Sequence, residues 1–439
     1  MSNLNLFLLE WKHFVRSPFK IMAILLFIIA SVYGLHKGAK LYHKQSAEIT
    51  KIEERAQKDK QKIIDEHYRK GKLTPEDRPW IDYSTPFWAI WWSSPYHFKK
   101  PSPAMVYSIG QSEQYGFYKR ITFWASPYDA DLAEEIANPE RLQTGTLDFS
   151  FALLFLMPLV LLVLLYNLKS TEIEQGFMPL IEVQNPSKNT WLLLRMSFYV
   201  SLFLLVNIAL LIYGASLTNV FAAADHSFGS MCLQVILYFS FWSILYFLIL
   251  LNGKSILGNI LQMSALYLLF AFIIPATVHQ LLSIQQPANL MTDFIDVRDQ
   301  QQELYDGPDS VFQAQLNDLF PAILQSSVYQ DSTKIDAARN RSAAALVNEL
   351  KKTSIQPIEE ENKVKNAFVE SSFWFNPISF FQNRLNTISQ THFDDYQKYR
   401  DEIQTLIDKQ ISMMISDMWN EVSVDESKYV EYSTILTIQ

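Results

Sequence analysis

The sequence predicts a mostly α-helical integral membrane protein. It has about five transmembrane helices and an extracytoplasmic α-rich domain, with an α+β content left open, built from two insertions. Three observations lead there. The apolar residues are unevenly placed, crowding almost continuously from Phe149 to Leu282 while the flanks are polar. Several apolar runs reach the ~20 residues that a helix needs to cross a hydrocarbon core about 30 Å thick. Short polar loops join those runs, and the remaining polar sequence falls into two long segments, 38–148 and 283–439.

Residues 1–20 read as an amphipathic cytoplasmic connecting helix, followed by a first span at 21–37. The apolar run of that span, Ile21–Leu35, is short, and it reaches spanning length if Phe19 and the flanking lysines snorkel toward the interfaces. It shares a basic flank and a short apolar core with signal peptides. The preceding stretch is long and amphipathic, however, and no small-residue cleavage site follows, so the helix is read as retained.

The segment 38–148 opens with Gln45–Lys72, dense in Lys and Glu. Ile49, Ile52, Ala56 and Ile63 recur there near heptad spacing, as in a solvated helix packed on its own domain or a short coiled coil. An aromatic cluster with Trp80, Trp88, Trp91 and Trp92 comes next. It suits a core, an interfacial belt or a ligand platform.

Residues 149–282 hold four further spans, Phe149–Leu168, Trp191–Leu217, Met231–Leu251 and Ile256–Leu282. In the tail, Ser332–Lys352 and His392–Asp417 repeat apolar residues at helical spacing, the second through Ile403, Leu406, Ile407, Ile411, Met414 and Ile415. The two long polar segments are expected to pack on one another, burying some of Trp80, Trp88 and Trp124 with Trp374 and Phe381.

Lys and Arg near span ends set orientation. The first span is tied. Lys169, Lys188, Arg195 and Lys254 place the two short loops in the cytoplasm, which puts the N-terminus inside and both long segments outside. The tail carries 24 acidic against 13 basic residues, which argues against a nucleic-acid partner.

Few stretches of the sequence carry a chemical motif. The single cysteine, Cys232, excludes an intramolecular disulfide and a multi-cysteine metal cluster. "LNGKS" ends like a phosphate loop, but Leu248 stands where the first Gly belongs and no strand precedes it, so Gly253 is read as a turn and Lys254 as an anchor. "SIGQSEQ" has Gln114 in place of the second Gly of a nucleophile elbow. The spans hold almost no ionisable residues, Arg195 lying near the cytoplasmic end and His279 near the outer end. An ion-driven relay needs charges at mid-membrane, so the driving energy is expected from elsewhere. No residue is assigned to catalysis, to a cofactor or to a metal.

The loop "KSTEIEQGFMPLIEVQNPSKN" between two spans carries the functional reading. Phe177, Met178, Leu180, Ile181 and Val183 can line one face of a short helix at the membrane surface. Glu172 and Glu174 precede it, and Gly176 permits a sharp entry. A plain surface connector is the alternative.

This loop resembles the segment of ABC type-2 transporter permeases in which a span is followed by E-x-E-x-G, a coupling helix, a Pro, a basic residue and the next span. Glu172, Glu174, Gln175, Gly176, Pro186 and Lys188 match that pattern. Phe177 stands where the family has Thr, and Ile173 where it often has a basic residue. "LLEWKHFVRSPFK" resembles the family's connecting helix at Glu10, Trp11, Arg16 and Pro18. "PSPAMVYSIGQSEQYGFY", "TGTLDFSFALLFLMPL" and "NPISFFQNRLN" resemble a subgroup with large extracytoplasmic insertions, common in Gram-negative bacteria.

The resemblance implies a permease subunit with no nucleotide site, coupled near 172–186 to a separate cytoplasmic ABC ATPase that uses the ATP. It implies a second permease subunit, a bacterial inner-membrane location with large periplasmic parts, and export as the activity. A non-transporting mechanical transmitter acting on an extracytoplasmic partner is the competing reading, and a membrane enzyme ranks below both. Family members generally have six spans, and here no sixth apolar run follows the tail, by truncation or by nature.

Overall fold

The computed structural model describes residues 3–128, 147–184, 187–222, 226–285, 301–304 and 306–435. Among them, five helices are long and apolar enough to cross a membrane, which fits a mostly α, multi-pass membrane protein. The only strands among the described residues form one antiparallel pair, β1 (Tyr96–Phe98) and β2 (Tyr118–Arg120), with Tyr96 opposite Arg120.

Helix α1 (Asn3–Val15) is amphipathic and packs through Leu6, Phe7 and Phe14 onto the bundle. Ser17 in extended conformation and Pro18 at the first helical position separate it from α2 (Pro18–Ile63). The expected break near residue 37 is absent: the first span and the charged stretch beyond it are one helix of 46 residues. Gly34 and Gly38 are smooth helical positions whose missing side chains admit other backbone. A Cβ at Gly34 would lie 2.4 Å from the Asp148 carbonyl carbon, and one at Gly38 would lie 2.7 Å from the Val106 oxygen. The heptad-like residues divide accordingly, Ile49 and Ile63 being buried and Ile52 and Ala56 half-buried.

A short helix, α3 (Pro86–Ser93), follows. The next span begins at α4 (Phe149–Phe151), capped by the Asp148 carboxylate, which accepts from the Phe151 amide at 2.8 Å and the Ser150 hydroxyl at 2.7 Å. A π-helical turn, Ala152–Leu156, leads into α5 (Met157–Leu165). Pro158 explains part of that turn, since it offers no N–H to the Leu154 carbonyl. The loop region holds α6 (Ser170–Glu174) and α7 (Met178–Gln184). The remaining spans are α8 (Lys188–Thr218), α9 (Ser227–Asn252) and α10 (Ile256–Leu268). A second π-helical turn, Leu269–Ile273, continues α10 into α11 (Ile274–Gln285).

The tail comprises α12 (Asp309–Leu319), α13 (Ile335–Ser371), α14 (Pro377–Ile388), α15 (Phe393–Trp419) and α16 (Glu426–Ile435). His392 and Asp395 form a capping box at the start of α15. Two apolar cores result. One fills the span bundle; the other joins Ile63, Ile81, Ile90 and Phe123 to Leu316, Ile403, Met414 and Trp419. The two polar segments therefore share a core. Gln410 donates to the Ser94 hydroxyl at 2.6 Å, and the Val424 amide to the Ser84 carbonyl at 2.9 Å.

Three aromatics expected in that core lie elsewhere. Trp80 and Trp374 are 65% and 86% exposed. Phe381 belongs to the span bundle, its ring 4.9 Å from that of Tyr238. Trp88 and Trp124 do pack against the second core. Helix α14 thus returns from the tail to the bundle, which apolar periodicity alone does not reveal.

Segment 102–110 packs on the span bundle through Ala104, Val106 and Tyr107. The Tyr107 hydroxyl donates to the Leu211 carbonyl at 2.7 Å, Thr218 to the Pro103 carbonyl at 2.8 Å, and Ser389 to the Ala104 carbonyl at 2.9 Å.

Candidate functional site

The loop after α5 is built as a hairpin of two short helices. Helix α6 ends in a Schellman motif: the Gly176 amide donates to the Ile173 carbonyl at 3.1 Å, and the Phe177 amide to the Glu172 carbonyl at 2.9 Å. Gln175 is the exposed C-cap, and Gly176 adopts φ +75°. A Cβ at Gly176 would meet nothing within 4 Å, so the requirement there is backbone conformation rather than space.

The root of the hairpin is tied to neighbouring helix ends. Lys169 Nζ donates to the Leu251 carbonyl at 2.5 Å, capping the end of α9. Glu174 Oε1 accepts from the Ile256 amide at 2.7 Å, an orphan donor at the start of α10. Asn259 Nδ2 donates to the Ser170 hydroxyl at 2.7 Å and to the Tyr166 carbonyl at 3.0 Å. In the α9–α10 turn, Gly253 has an ordinary extended φ of −66°. Its need is room, because a Cβ there would lie 2.0 Å from Asn259 Oδ1. Lys254 is exposed.

Beside this root lies a buried layer of charge. Arg195 of α8 donates through Nε to Glu10 Oε1 at 2.6 Å. Its Nη1 donates to Glu172 Oε1 at 3.0 Å and to the Leu168 carbonyl at 2.8 Å. Glu10 is fully buried, and its second oxygen accepts from the Tyr199 hydroxyl at 3.0 Å. Lys20 Nζ donates to the Leu164 carbonyl at 2.8 Å and lies 4.2 Å from the Tyr199 ring centroid. Two carboxylates and two cations make the layer formally neutral. Burial of such groups is tolerable only when each is paired and hydrogen-bonded. The connecting helix, the loop and α8 are thereby fastened at one point.

Helix α7 projects from that root. Met178 and Ile181 pack back onto the bundle. Phe177, Leu180 and Val183 are 51%, 58% and 86% exposed, so the apolar face of this short helix is open. Glu182 and Lys188 form an exposed ion pair at 3.3 Å.

No family model, curated protein or solved structure matches the chain.

Of the residues that the sequence singles out, the structure brings Glu10 and Glu172 together on Arg195, sets Glu174 on the start of α10, and uses Gln175 and Gly176 to shape the turn. Trp11 is half exposed and packs edge-on against Phe198, with ring centroids 6.5 Å apart. Arg16 is exposed, and Pro18 starts α2. Pro186 lies outside the described residues. Sequence reasoning missed Tyr199, Lys20 and Asn259, and read Arg195 only as a boundary charge. The available signal was Arg195 itself, a cation within an apolar run, which calls for a buried partner. Among the described residues no cluster of His, Cys, Asp or Glu is placed to hold a metal ion.

Proposed function

We propose that the chain is the permease subunit of an ATP-driven ABC type-2 export system, with α6–α7 as the element that a separate cytoplasmic ATPase grips. One observation carries this reading: an open apolar face, Phe177, Leu180 and Val183, stands on a hairpin rigidly rooted in the bundle. A surface connector has no need of either property. An apolar ridge on a fixed root suits a partner whose motion must reach the spans, because a compliant root would absorb the displacement. The ATPase then biases the bundle by preferring one of its states.

In this reading the hairpin side is cytoplasmic and the second core lies outside, in the periplasm of a bacterial inner membrane. Hydrolysis belongs to the partner chain, and a second permease subunit completes the assembly. The alternative, a mechanical transmitter acting on an outside partner, draws on α2, which runs unbroken from the bundle into the second core.

The test is co-purification from native membranes. Wild-type chain should retain an ABC ATPase subunit, and Leu180→Asp with Val183→Asp should lose it more than tenfold with unchanged thermal stability. Absence of an ATPase with the wild-type chain would overturn the proposal.

A further inference from the structure

A cleft of about 1030 Å³ opens beside the second core, between α2, the 72–78 loop and the β1–β2 hairpin. That is the upper end of the size of small-molecule sites, ~300–1,000 Å³. Lys60 of α2 lines it, about 40 residues along the helix from Lys20 of the buried charge layer. On the helical rise that is ~60 Å, about twice the thickness of a hydrocarbon core. The cleft therefore faces water, on the side opposite the α6–α7 hairpin.

Charge in the cleft is sorted by depth. Its carboxylates, Glu53, Asp59, Glu66, Glu76 and Asp77, all belong to exposed residues, and exposed Lys and Arg residues are as many, so the rim is formally neutral. Below the rim stand Lys60 and Arg120, both half-buried. Lys60 Nζ donates to the buried Ser433 hydroxyl at 2.5 Å, and Arg120 Nη2 to the Trp91 carbonyl at 2.8 Å. Among the described residues neither has a carboxylate within ion-pair range. The two histidines of the lining are turned to other partners, His67 to the Lys72 carbonyl at 2.7 Å and His97 to Glu402 at 3.0 Å. Charges that leave water are ordinarily paired, so two half-buried cations without a carboxylate call for an anion from outside.

Rings stand beside these cations. The Arg120 guanidinium is 5.8 Å from the ring centroids of both Trp91 and Trp92, and Arg78 is 5.6 Å from that of Trp92. Tyr96 lies opposite Arg120 in the β-ladder, which puts both side chains on one face of the hairpin. Tyr96 stacks with Phe98, ring centroids 6.2 Å apart, and Trp92, Tyr96 and Phe98 all line the cleft. A phosphate monoester carries a charge of about −1.5 to −2 at neutral pH and offers three strong acceptor oxygens, which matches two fixed cations. The carboxylates of the rim would repel a long polyanion but not the uncharged remainder of a small ester.

We infer that this cleft binds a ring-bearing phosphate monoester, its phosphate held by Lys60 and Arg120 and its ring against Trp92, Tyr96 and Phe98. The site stands apart from the α6–α7 hairpin and needs no ATPase.

Calorimetric titration of the full chain in phosphatidylcholine nanodiscs, with phenyl phosphate and with glucose 1-phosphate, provides the test. At least one should bind, and which one tells an aryl ring from a sugar. Inorganic phosphate, which lacks the ring, and the singly charged methyl ester of the bound compound should each bind at least tenfold more weakly. Lys60→Gln and Arg120→Gln keep a donor for the Ser433 hydroxyl and the Trp91 carbonyl. Each should lose affinity more than tenfold while melting, without ligand, no lower than wild type. Glu53→Gln on the rim should bind as wild type. If neither phosphate binds, the inference fails. Equal affinity for the monoester and its methyl ester, a comparison made on the wild-type chain alone, or unchanged binding in both variants overturns the pairing with two cations. Equal affinity for inorganic phosphate overturns the ring contact.

Discussion

The Tyr238 hydroxyl donates at 2.6 Å to the Leu154 carbonyl, the acceptor that Pro158 leaves without a helical donor. Two neighbours serve the same span in the same way: Tyr267 donates to the Phe155 carbonyl at 3.1 Å, and Tyr246 to the Pro158 carbonyl at 3.2 Å. In the interior of a membrane protein no water replaces a missing donor, so the π-helical turn at Ala152–Leu156 depends on α9 and α10.

That dependence gives a double-mutant cycle. Tyr238→Phe keeps the ring against Phe381 and removes only the donor. It should cost about 1–2 kcal/mol, the range for an interhelical hydrogen bond in a membrane. Pro158→Ala restores the backbone N–H. In that background Tyr238→Phe should cost measurably less in thermal or denaturant unfolding. Equal cost in both backgrounds would mean that the hydroxyl serves something other than the carbonyl vacated by proline.

A second expectation concerns the backbone contacts of α2. A Cβ at Gly38 would stand 2.7 Å from the Val106 oxygen and 2.9 Å from its Cα, and these are main-chain atoms that cannot rotate away. Gly38→Ala should therefore destabilise by about 1–3 kcal/mol, the usual cost of overpacking. Gly229 in α9 is the control, since nothing lies within 4 Å of its added Cβ. Gly229→Ala should be neutral or stabilising by about 0.5–1 kcal/mol through helix propensity. Similar melting shifts in both variants would refute the close-packing account.

The spans were legible because composition alone marks them, and the Gly176 turn because few residues other than glycine take a positive φ readily. The unbroken α2 was not, because the apolar signal stops near Leu35 while the helix continues on Lys, Glu and Ala, good helix formers that carry no membrane signal. Glu10 and Glu172 were noted for their resemblance to a pattern. Their shared partner Arg195 is a long-range contact that no local spacing encodes. Phe381 packs in the span bundle and Trp374 lies exposed, neither in the core that the sequence suggests, for a related reason. The aromatic content of "FWFNPISFF" shows neither which of its rings are buried nor that α14 turns back to α9.

A third expectation is a pH dependence at Lys99. Burial lowers its pKa from the ordinary lysine value to about 8, opposed in part by the Asp395 carboxylate. Its Nζ donates to the Gln390 carbonyl at 2.7 Å and sits 4.3 Å from the Tyr396 ring centroid. Between pH 8 and the unfolded value of 10.5, the unfolded chain holds a proton that the folded chain has released. Stability from this group is thus present above the unfolded value and is lost as pH falls through the folded one. The difference in melting temperature between wild type and Lys99→Met should shift in favour of wild type as pH rises across that window. A flat difference would show that Lys99 titrates normally.

The last expectation separates the two glutamates of the hairpin from the one beneath it. Glu10 is fully buried and holds Arg195 and Tyr199. Glu10→Leu leaves Arg195 buried with one carboxylate fewer, a loss of about 3–5 kcal/mol by the rule for broken buried pairs. Glu172 shares Arg195, but from a partly exposed position, and Glu174 meets a backbone amide at the surface. An amide oxygen can still accept both bonds, so Glu174→Gln, at an exposed carboxylate, should cost within about 1 kcal/mol, and Glu172→Gln more than that but less than Glu10→Leu, because the buried Arg195 loses a charge and keeps an acceptor. Binding of the ATPase should respond differently. A charge left unpaired across an interface costs roughly 2–5 kcal/mol, which is more than tenfold in assembly. The double variant should therefore express and melt closer to wild type than Glu10→Leu does, yet co-purify poorly with the ATPase or uncouple its hydrolysis. Glu10→Leu should lose stability first. Normal assembly and coupling in the double variant would leave α6–α7 gripped through Phe177, Leu180 and Val183 alone, with the glutamates serving only to hold the hairpin on its root.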